Sequence, residues 1–307
     1  MIDVINLKKS YGEREAVKSL NFLIKDGEFY GLLGPNGAGK TTTISIMSTI
    51  LDADAGDVVI DNYNIKKNPK KVKQVIGVVP QEIALYNELS AGENLKFWGG
   101  LYNVPESELK ARMDELLKWF GLYDRRNDKV GSYSGGMKRR INIAAALLHR
   151  PKVLFMDEPT VGIDPQSRNC IYEVIEKLHR DGMTIVYTTH YMEEAERFCD
   201  RIGIIDEGRI IAEGTLDDLK KSMAIKEVIS ITFSKLSDTL VNELTSFWRD
   251  LKHQDDKILF YSNDIKTDLP KLVSKCNQLS ADIANIEIQK TNLETIFLSL
   301  TGKQLRD

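Results

Sequence analysis

Eight residues near the N-terminus, Gly34 to Thr41, read GPNGAGKT and constrain this chain more than any other stretch. They fit the pattern G-x-x-x-x-G-K-[ST], whose glycines let a backbone loop wrap closely round phosphate groups. An apolar run, Phe29 to Leu33, precedes the loop and predicts a buried strand, and a helix-length segment, Thr41 to Leu51, follows it. This stretch therefore predicts a phosphate-binding loop that opens a helix, whose dipole favours an anion.

The loop residues also predict how a nucleotide would be held. Lys40 would reach the β- and γ-phosphates, and the Thr41 hydroxyl would ligate magnesium. Backbone N–H groups would face the phosphates along the predicted binding stretch, which comprises Gly34, Pro35, Asn36, Gly37, Ala38, Gly39, Lys40 and Thr41. A glycine-rich turn with a chance Lys-Thr pair is the alternative, but it would not explain the flanking strand and helix.

Composition limits what surrounds this loop. The chain has 307 residues, enough for more than one domain, and 42% hydrophobic with 28% charged residues is typical of a soluble globular protein. A net charge of −3 gives no general attraction to nucleic acid or anionic lipid. Three widely spaced cysteines, a start without a signal-peptide core and no run of about 18 apolar residues favour a cytoplasmic protein. Any membrane-spanning part would then belong to another chain.

Apolar periodicity divides the chain into two α/β regions. In the first we predict strands over 2–7, 16–24, 29–33, 57–60, 75–79, 153–156, 183–189, 202–205 and 209–212. Between about 84 and 150 the strand signals disappear, which predicts an all-helical insertion that ends with a helix running to His149. Further helices are predicted over 167–180 and 192–199.

The periodicity restarts beyond residue 223. It predicts strands over 228–233, 258–261 and 283–288 and helices over 236–251, 269–279 and 293–300. We therefore expect a first domain over 1–222 and an accessory α/β domain over 223–307, which is large enough to be an independent unit.

A pair of carboxylates closes the apolar run 153–156. Asp157 and Glu158 come directly after that strand, at the edge where parallel sheets bind their ligands. Asp157 would hold magnesium through water, and Glu158 would polarise the water that attacks a γ-phosphate. An acidic helix cap leading into Pro159 is the alternative, and the phosphate loop upstream favours the catalytic interpretation.

Weaker signals accompany these residues. Ser134, Gly135 and Gly136 open a helix and could form a second anion site, although on spacing alone an ordinary capped helix is favoured. His190 and Gln81 each follow a predicted strand. His190 could therefore contact a γ-phosphate, and Gln81 could ligate magnesium or orient water.

Three other features have simple explanations. Tyr11 could stack on an adenine, although exposed loop tyrosines are common. The run Lys138-Arg139-Arg140 predicts a solvated helix face. Packing against apolar neighbours, rather than a cofactor site, is predicted for Met113, Met137 and Met192.

Taken in order, these motifs resemble the nucleotide-binding subunit of ABC transporters. The resemblance covers about residues 1–220 and is carried by GPNGAGKT, SGG at 134–136, VLFMDEP at 153–159, GIDP at 162–165, Tyr11, Gln81 and His190. It implies an α/β P-loop NTPase of ABC type. Such a protein has a RecA-like α/β core, an N-terminal antiparallel β part and an all-helical subdomain, here followed by the small C-terminal α/β domain.

The resemblance assigns ATP and Mg²⁺ as ligands and gives each motif a role. It implies adenine stacking by Tyr11 and a Walker A loop that extends to Thr42. The implied catalytic residues are Lys40, Gln81, Glu158 and His190. The implied metal ligands are Thr41, Gln81 and Asp157.

Four residues are implied to act on the nucleotide of an opposite subunit: Ser134, Gly135, Gly136 and Asp164. The family signature usually reads LSGGQ, whereas this chain has YSGGM, with Tyr133 and Met137 at the flanks. The Ser-Gly-Gly centre is intact, so the implied role is kept. Two copies would then face each other head to tail around two MgATP.

The stretches YSGGMKRR, TVGIDPQSR and NLETIFLSLTG are similar to the exporter branch that works with ABC-2 type permeases and includes drug- and antibiotic-resistance pumps. We therefore expect an ATPase subunit that powers export as a homodimer on an ABC-2 type integral membrane permease. It would lie at the cytoplasmic face of the membrane and bind no nucleic acid.

Three alternatives remain: a soluble ABC ATPase acting on ribosomes or DNA, a P-loop kinase and an importer subunit. A single set of motifs disfavours the first, and the signature with His190 disfavours the second.

Overall fold

The computed structural model describes residues 1–222, 227–254, 256–289 and 292–301. The chain divides into two compact units, of which the first is Met1–Leu216 and the second begins at Asp217. The predicted boundary at 222 coincides with the end of a short helix, Leu216–Ser222. Each unit has its own hydrophobic core.

Ten strands of the first unit form two sheets. The strands are β1 (Ile2–Tyr11), β2 (Arg14–Ile24), β3 (Phe29–Leu33), β4 (Ala55–Ile60), β5 (Tyr63–Asn64), β6 (Ile76–Val79), β7 (Val153–Asp157), β8 (Thr184–Thr189), β9 (Arg201–Asp206) and β10 (Arg209–Gly214). A four-stranded antiparallel sheet has the order β2-β1-β4-β5, and a six-stranded sheet has the order β10-β9-β3-β8-β7-β6. In the larger sheet only β10 is antiparallel to its neighbour.

Eight helices belong to the chain up to Ser222. They are α1 (Lys40–Met47), α2 (Pro69–Val75), α3 (Ala91–Leu101), α4 (Glu106–Trp119), α5 (Gly135–Ala146), α6 (Pro165–Arg180), α7 (Met192–Phe198) and α8 (Leu216–Ser222). The insertion between β6 and β7 contains only α3, α4, α5 and two 3₁₀ turns, so the predicted all-helical segment is confirmed. The predicted α/β class, with an antiparallel β part and a helical subdomain, is also confirmed.

The parallel strands are covered on both faces, which explains their continuous apolar runs. Successive residues of a strand point to opposite faces, and they divide between two cores accordingly. On β7, Leu154 and Met156 pack with the helices of the insertion, whereas Val153 and Phe155 pack with α1 and the antiparallel sheet.

Helix ends differ from the predicted ones for local reasons. The helix α1 ends at Met47 rather than at Leu51, because Thr49 takes a left-handed conformation with φ of 62°. The helix α5 stops at Ala146, after which tighter i to i+3 hydrogen bonds continue to Arg150. The helix α2 was not predicted; it is seven residues long and buries only Val72, so it has no apolar periodicity.

The second unit has its own sheet of four antiparallel strands. Its elements are β11 (Glu227–Phe233), α9 (Asp238–Phe247), β12 (Leu251–Gln254), β13 (Lys257–Ser262), α10 (Ile265–Gln278), β14 (Ile283–Gln289) and α11 (Leu293–Thr301). The strand order β12-β13-β11-β14 and the chain order βαββαβ are those of the ferredoxin-like motif. Apolar side chains from β11, β13, α9 and α10 form its core.

Candidate nucleotide site

Four parallel strands end at the same edge of the large sheet and bring the predicted motifs together. The loop 34–39 follows β3, Asp157 ends β7, and His190 follows β8. Pro80 and Gln81 follow β6, the fourth strand of this group. Because carboxyl ends of parallel strands share one edge, residues far apart in sequence meet there.

The loop between β3 and α1 requires glycine where the backbone is left-handed. Gly39, just before α1, has φ of 110°, and a Cβ there would lie 2.5 Å from the carbonyl oxygen of Ala16. The first turn of α1, which begins at Lys40, therefore starts close to the β2 strand. The unpaired N–H groups of such a turn form an anion site.

Three ionisable side chains meet beside this loop. The Lys40 ammonium lies 3.1 Å from Oε1 of Glu158, and Nδ1 of His190 lies 3.4 Å from Oε2 of the same carboxylate. Lys40 also donates to the carbonyl of Gly34 at 2.7 Å. Lys40 and Glu158 are only 4% and 5% exposed, so their attraction is little screened. A γ-phosphate placed here would compete with Glu158 for the Lys40 ammonium.

Asp157, the last residue of β7, is a buried carboxylate next to Glu158 in the chain. Its Oδ1 accepts a 2.6 Å hydrogen bond from the Thr188 hydroxyl. Burial raises the pKa of Asp157, and hydrogen bonds from the Thr188 and Thr41 hydroxyls act in the opposite direction. A nearby cation would favour the charged carboxylate.

The oxygen groups fit the requirements of magnesium. A hydroxyl on Thr41, a carboxylate on Asp157 and an amide on Gln81 are hard ligands of the kind Mg²⁺ prefers. Within the described residues no cluster of three or more His, Cys, Asp or Glu side chains could hold a metal ion. Mg²⁺ in nucleotide sites usually keeps several waters and is bound largely through phosphates.

A cavity of about 870 Å³ lies over the loop. The predicted site residues that line it are Tyr11, Asn36, Gly37, Gly39, Lys40, Thr41, Thr42, Gln81, Glu158 and His190. Gly34, Pro35 and Ala38 belong to the loop but are not among its lining residues. Tyr11 is 52% exposed at the cavity edge, where an adenine could stack on its ring.

The cavity also contains a residue that we did not predict. Arg14, at the start of β2, lines it and donates to the carbonyl of Gly37 at 3.2 Å. No local pattern indicated this, because Arg14 begins a strand directly after a two-residue turn and approaches the loop only through the fold.

Ser134, Gly135, Gly136 and Asp164 do not line this cavity. Ser134 caps α5 and accepts a hydrogen bond from the Met137 N–H at 3.2 Å, with its own side chain exposed. Asp164 caps α6 by accepting from the Ser167 N–H at 2.9 Å, and the hydrogen bonds from Ser167 lower its pKa. Within one chain both motifs thus act as helix caps.

The flanks of the signature are packing residues. Tyr133 is buried and its hydroxyl donates to the Arg125 carbonyl at 2.6 Å. Met137 and Met113 pack against the core of the helical insertion, as predicted.

The prediction of a solvated face at 138–140 is wrong for its central residue. Arg139 is only 4% exposed and donates to the carbonyl oxygens of Pro80, at 2.6 Å, and Gln81. Desolvation lowers the pKa of its guanidinium, while Asp157 opposes that shift. Arg139 thus connects α5 to the loop that carries Gln81.

A phosphate loop opening a helix, a carboxylate pair at a strand end and a helical insertion define a P-loop nucleotide-hydrolysing protein. A family model described as "ABC transporter" matches residues 17–161. The linearmycin resistance ATP-binding protein LnrL of Bacillus subtilis (strain 168) is 46% identical, and the match covers 100% of both chains. The Nod factor export ATP-binding protein I of Burkholderia lata is 37% identical over 100% of this chain and 98% of that protein.

A solved structure agrees with these relatives. A dimeric ATP-binding cassette in a post-hydrolysis state with ADP and phosphate has a TM-score of 0.65 and 32% identity, covering 70% of this chain and 99% of that one. The chain belongs to the ABC transporter family, as an ATP-binding subunit that hydrolyses ATP.

Proposed function

We propose that this subunit powers an exporter of antibiotics, drugs or other lipophilic compounds, together with an ABC-2 type permease. The observation that carries the proposal is the full-length similarity to a linearmycin resistance protein, which includes both units of the chain. The Nod factor export relative supports the same direction of transport. Among the described residues no helix is long and apolar enough to cross a membrane. The similarity to ATP-binding proteins of resistance and export systems supports a peripheral position beside the permease, at the cytoplasmic face.

The site supports hydrolysis in which each side chain has a defined role. Lys40 and the loop N–H groups bind the β- and γ-phosphates, and Glu158 accepts a proton from the attacking water. His190, 3.4 Å from Glu158, contacts the γ-phosphate, and Gln81 orients the water. Magnesium, held by Thr41, Gln81 and Asp157, would neutralise charge on the phosphates. Tyr11 stacks on the adenine.

Two copies complete the site. Ser134 and Gly135 are exposed and lie outside the cavity of their own chain. A second protomer placed head to tail would present the N-terminus of its α5 to the γ-phosphate, with its Asp164 beside it. ATP then stabilises the closed dimer, and hydrolysis with phosphate release lets it open.

An apolar cleft of about 330 Å³ suits the permease contact. Ile50, Val78, Pro80 and Trp98 are among the residues that line it, between the sheet and the helical insertion. Pro80 precedes Gln81, which lines the nucleotide cavity. A cytoplasmic helix of the permease in this cleft would therefore respond to the state of the nucleotide.

Co-purification with a co-expressed ABC-2 type permease tests this proposal. Ile50 is 68% exposed at the cleft, so Ile50→Glu should reduce recovery of the complex at least tenfold without unfolding the chain. Leu23→Glu, at an exposed apolar position outside the cleft, is the matched control and should leave recovery unchanged. Equal recovery with both variants, or co-purification with RNA or DNA instead of the permease, would contradict the proposal.

We also propose that residues 223–307 form an accessory domain that regulates the ATPase or supports the dimer. The unit follows a complete ATPase, and its separate core lacks the motifs of the nucleotide site. Unchanged dimerisation and transport after deletion of 223–307 would exclude this role.

A further inference from the structure

Glu194, on α7, is a buried carboxylate that the mechanism above does not use. It follows His190 by four residues and is only 4% exposed. A buried carboxylate is costly unless its oxygens accept hydrogen bonds, so its partners indicate what it is there to hold.

All the side-chain hydrogen bonds to Glu194 come from hydroxyl groups, two on each oxygen. Oε1 accepts from Thr160 at 2.5 Å and from Tyr172 at 2.6 Å. Oε2 accepts from Tyr187 at 2.9 Å and from Thr189 at 2.7 Å. Burial and the neighbouring carboxylate raise the pKa of Tyr172 and of Tyr187, so both phenols stay protonated donors at neutral pH.

The four donors come from different parts of the site. Thr160 follows Glu158 by two residues, and Thr189 directly precedes His190. Tyr187 lies on β8, and Tyr172 lies on α6, the helix that Asp164 caps. One carboxylate therefore connects the loop after β7, the end of β8 and the helix that begins at the Asp164 motif.

A further hydrogen bond holds the turn that carries His190. The Thr189 hydroxyl accepts a hydrogen bond from the Tyr191 N–H at 2.9 Å while it donates to Glu194. Both neighbours of His190 are thereby tied to the same carboxylate. The segment directly after Glu158 is held to the same carboxylate by the hydroxyl of Thr160.

We propose that Glu194 is a positioning residue that sets the separation of Glu158 and His190 during hydrolysis. This inference rests on the proposed roles of those two residues. An apolar side chain would fill the same space but would impose no direction on the four hydroxyls. A carboxylate accepts all four at once, which holds two catalytic loops in one arrangement.

Replacing Glu194 with glutamine tests the inference with little change of shape. The amide has only one oxygen, so two hydroxyls lose their acceptor and face an N–H₂ group instead. We expect the kcat for ATP hydrolysis to fall by about tenfold to a hundredfold, because small displacements of catalytic groups have effects of this size. The KM for ATP should change by less than about threefold, because none of the four hydroxyls that bond to Glu194 belongs to the phosphate loop.

Two other variants make the result specific. Glu193→Gln removes an exposed carboxylate from the neighbouring position of α7 and should keep the parent kcat and KM. Tyr172→Phe removes one donor outside the nucleotide cavity and should lower kcat by a smaller factor. This variant keeps the inference testable if Glu194→Gln folds poorly, as judged by thermal unfolding.

Glu158→Gln, measured in parallel, separates this inference from the proposed function. Loss of hydrolysis in Glu158→Gln with a parent kcat in Glu194→Gln and Tyr172→Phe would overturn the role of Glu194 alone. Parent turnover in Glu158→Gln would overturn the assignment of the base, and the inference with it. An effect of Glu194→Gln on KM rather than on kcat would also contradict a positioning role.

Discussion

Arg139 acts on the site from inside the protein, through the backbone of another segment. Its two hydrogen bonds hold the carbonyl groups of Pro80 and Gln81, and its guanidinium is almost completely removed from solvent. Because Arg139 lies on α5, which Ser134 caps, a displacement of this helix would move the Gln81 loop as well. A single side chain thus couples two motifs that would touch nucleotides in different halves of a dimer.

Replacing Arg139 with methionine should therefore affect both stability and hydrolysis. The change leaves two carbonyl groups without these donors, so we expect the free energy of unfolding to fall by about 2 to 4 kcal/mol and ATP hydrolysis to slow. Lys138→Met is the control: Lys138 is partly exposed and makes one bond, to Asn87 at 3.2 Å, so its loss should cost less than about 1 kcal/mol. Equal denaturation midpoints for the two variants would contradict the coupling.

The sequence could identify candidate site residues only where they belong to a short motif or adjoin an apolar run. Lys40 and Thr41 stand in a spaced motif, and Asp157 and Glu158 follow an apolar run. Arg139 has no such signal, because its partners lie 58 and 59 residues away and only the fold brings them together. Within a basic run, nothing in the sequence distinguishes the buried arginine from its partly exposed neighbours.

At the scale of elements, the start of α5 has two separate requirements. A Cβ on Gly136 would overlap Oγ of Ser167, at the start of α6, so glycine is needed there for packing within one chain. A Cβ on Gly135 would have no atom within 4 Å. Packing among the described residues therefore does not require glycine at position 135, whereas the approach of a phosphate from an opposite subunit would.

This difference gives a matched pair of variants. Gly136→Ala should lower the free energy of unfolding by about 1 to 3 kcal/mol, because the added methyl overpacks the contact with α6. Gly135→Ala should leave stability unchanged or raise it by up to about 1 kcal/mol, yet it should slow ATP hydrolysis, because the methyl would obstruct the γ-phosphate of the opposite subunit. Thermal unfolding and steady-state ATPase assays measure both effects. Parent activity in Gly135→Ala would exclude a close approach of phosphate to this helix.

Elements with long apolar runs were predicted and short ones were not. The strands β3, β7 and β8 are buried on both faces, so each is recognisable in the sequence as a continuous, mainly apolar run. The strand β12 has the sequence LKHQ and was not predicted, and only its first residue falls within the predicted helix 236–251. That helix ends at Phe247 in the structure, so its predicted C-terminal end is wrong. Four residues with one apolar side chain carry no usable periodicity, and only pairing with β13 makes them a strand.

On the scale of the whole molecule, the chain joins a catalytic unit to a ferredoxin-like unit with a separate core. The sequence predicted a small α/β appendage but not its strand order, because pairing between β11 and β14 joins segments more than 50 residues apart. The catalytic unit does not contain the whole proposed site in one cavity. The loop residues, Glu158 and His190 line that cavity, but Ser134, Gly135 and Gly136 do not.

The mass of the Glu158→Gln variant in solution tests most directly whether the nucleotide site is shared between two protomers. Without a base the variant should retain ATP, so light scattering with MgATP should show the mass of two chains, and without nucleotide the mass of one. Lys40→Ala, which removes the phosphate contact, should stay at the mass of one chain under both conditions. A Glu158→Gln variant that binds MgATP and remains a single chain, alone and with its permease, would contradict a site shared between two protomers.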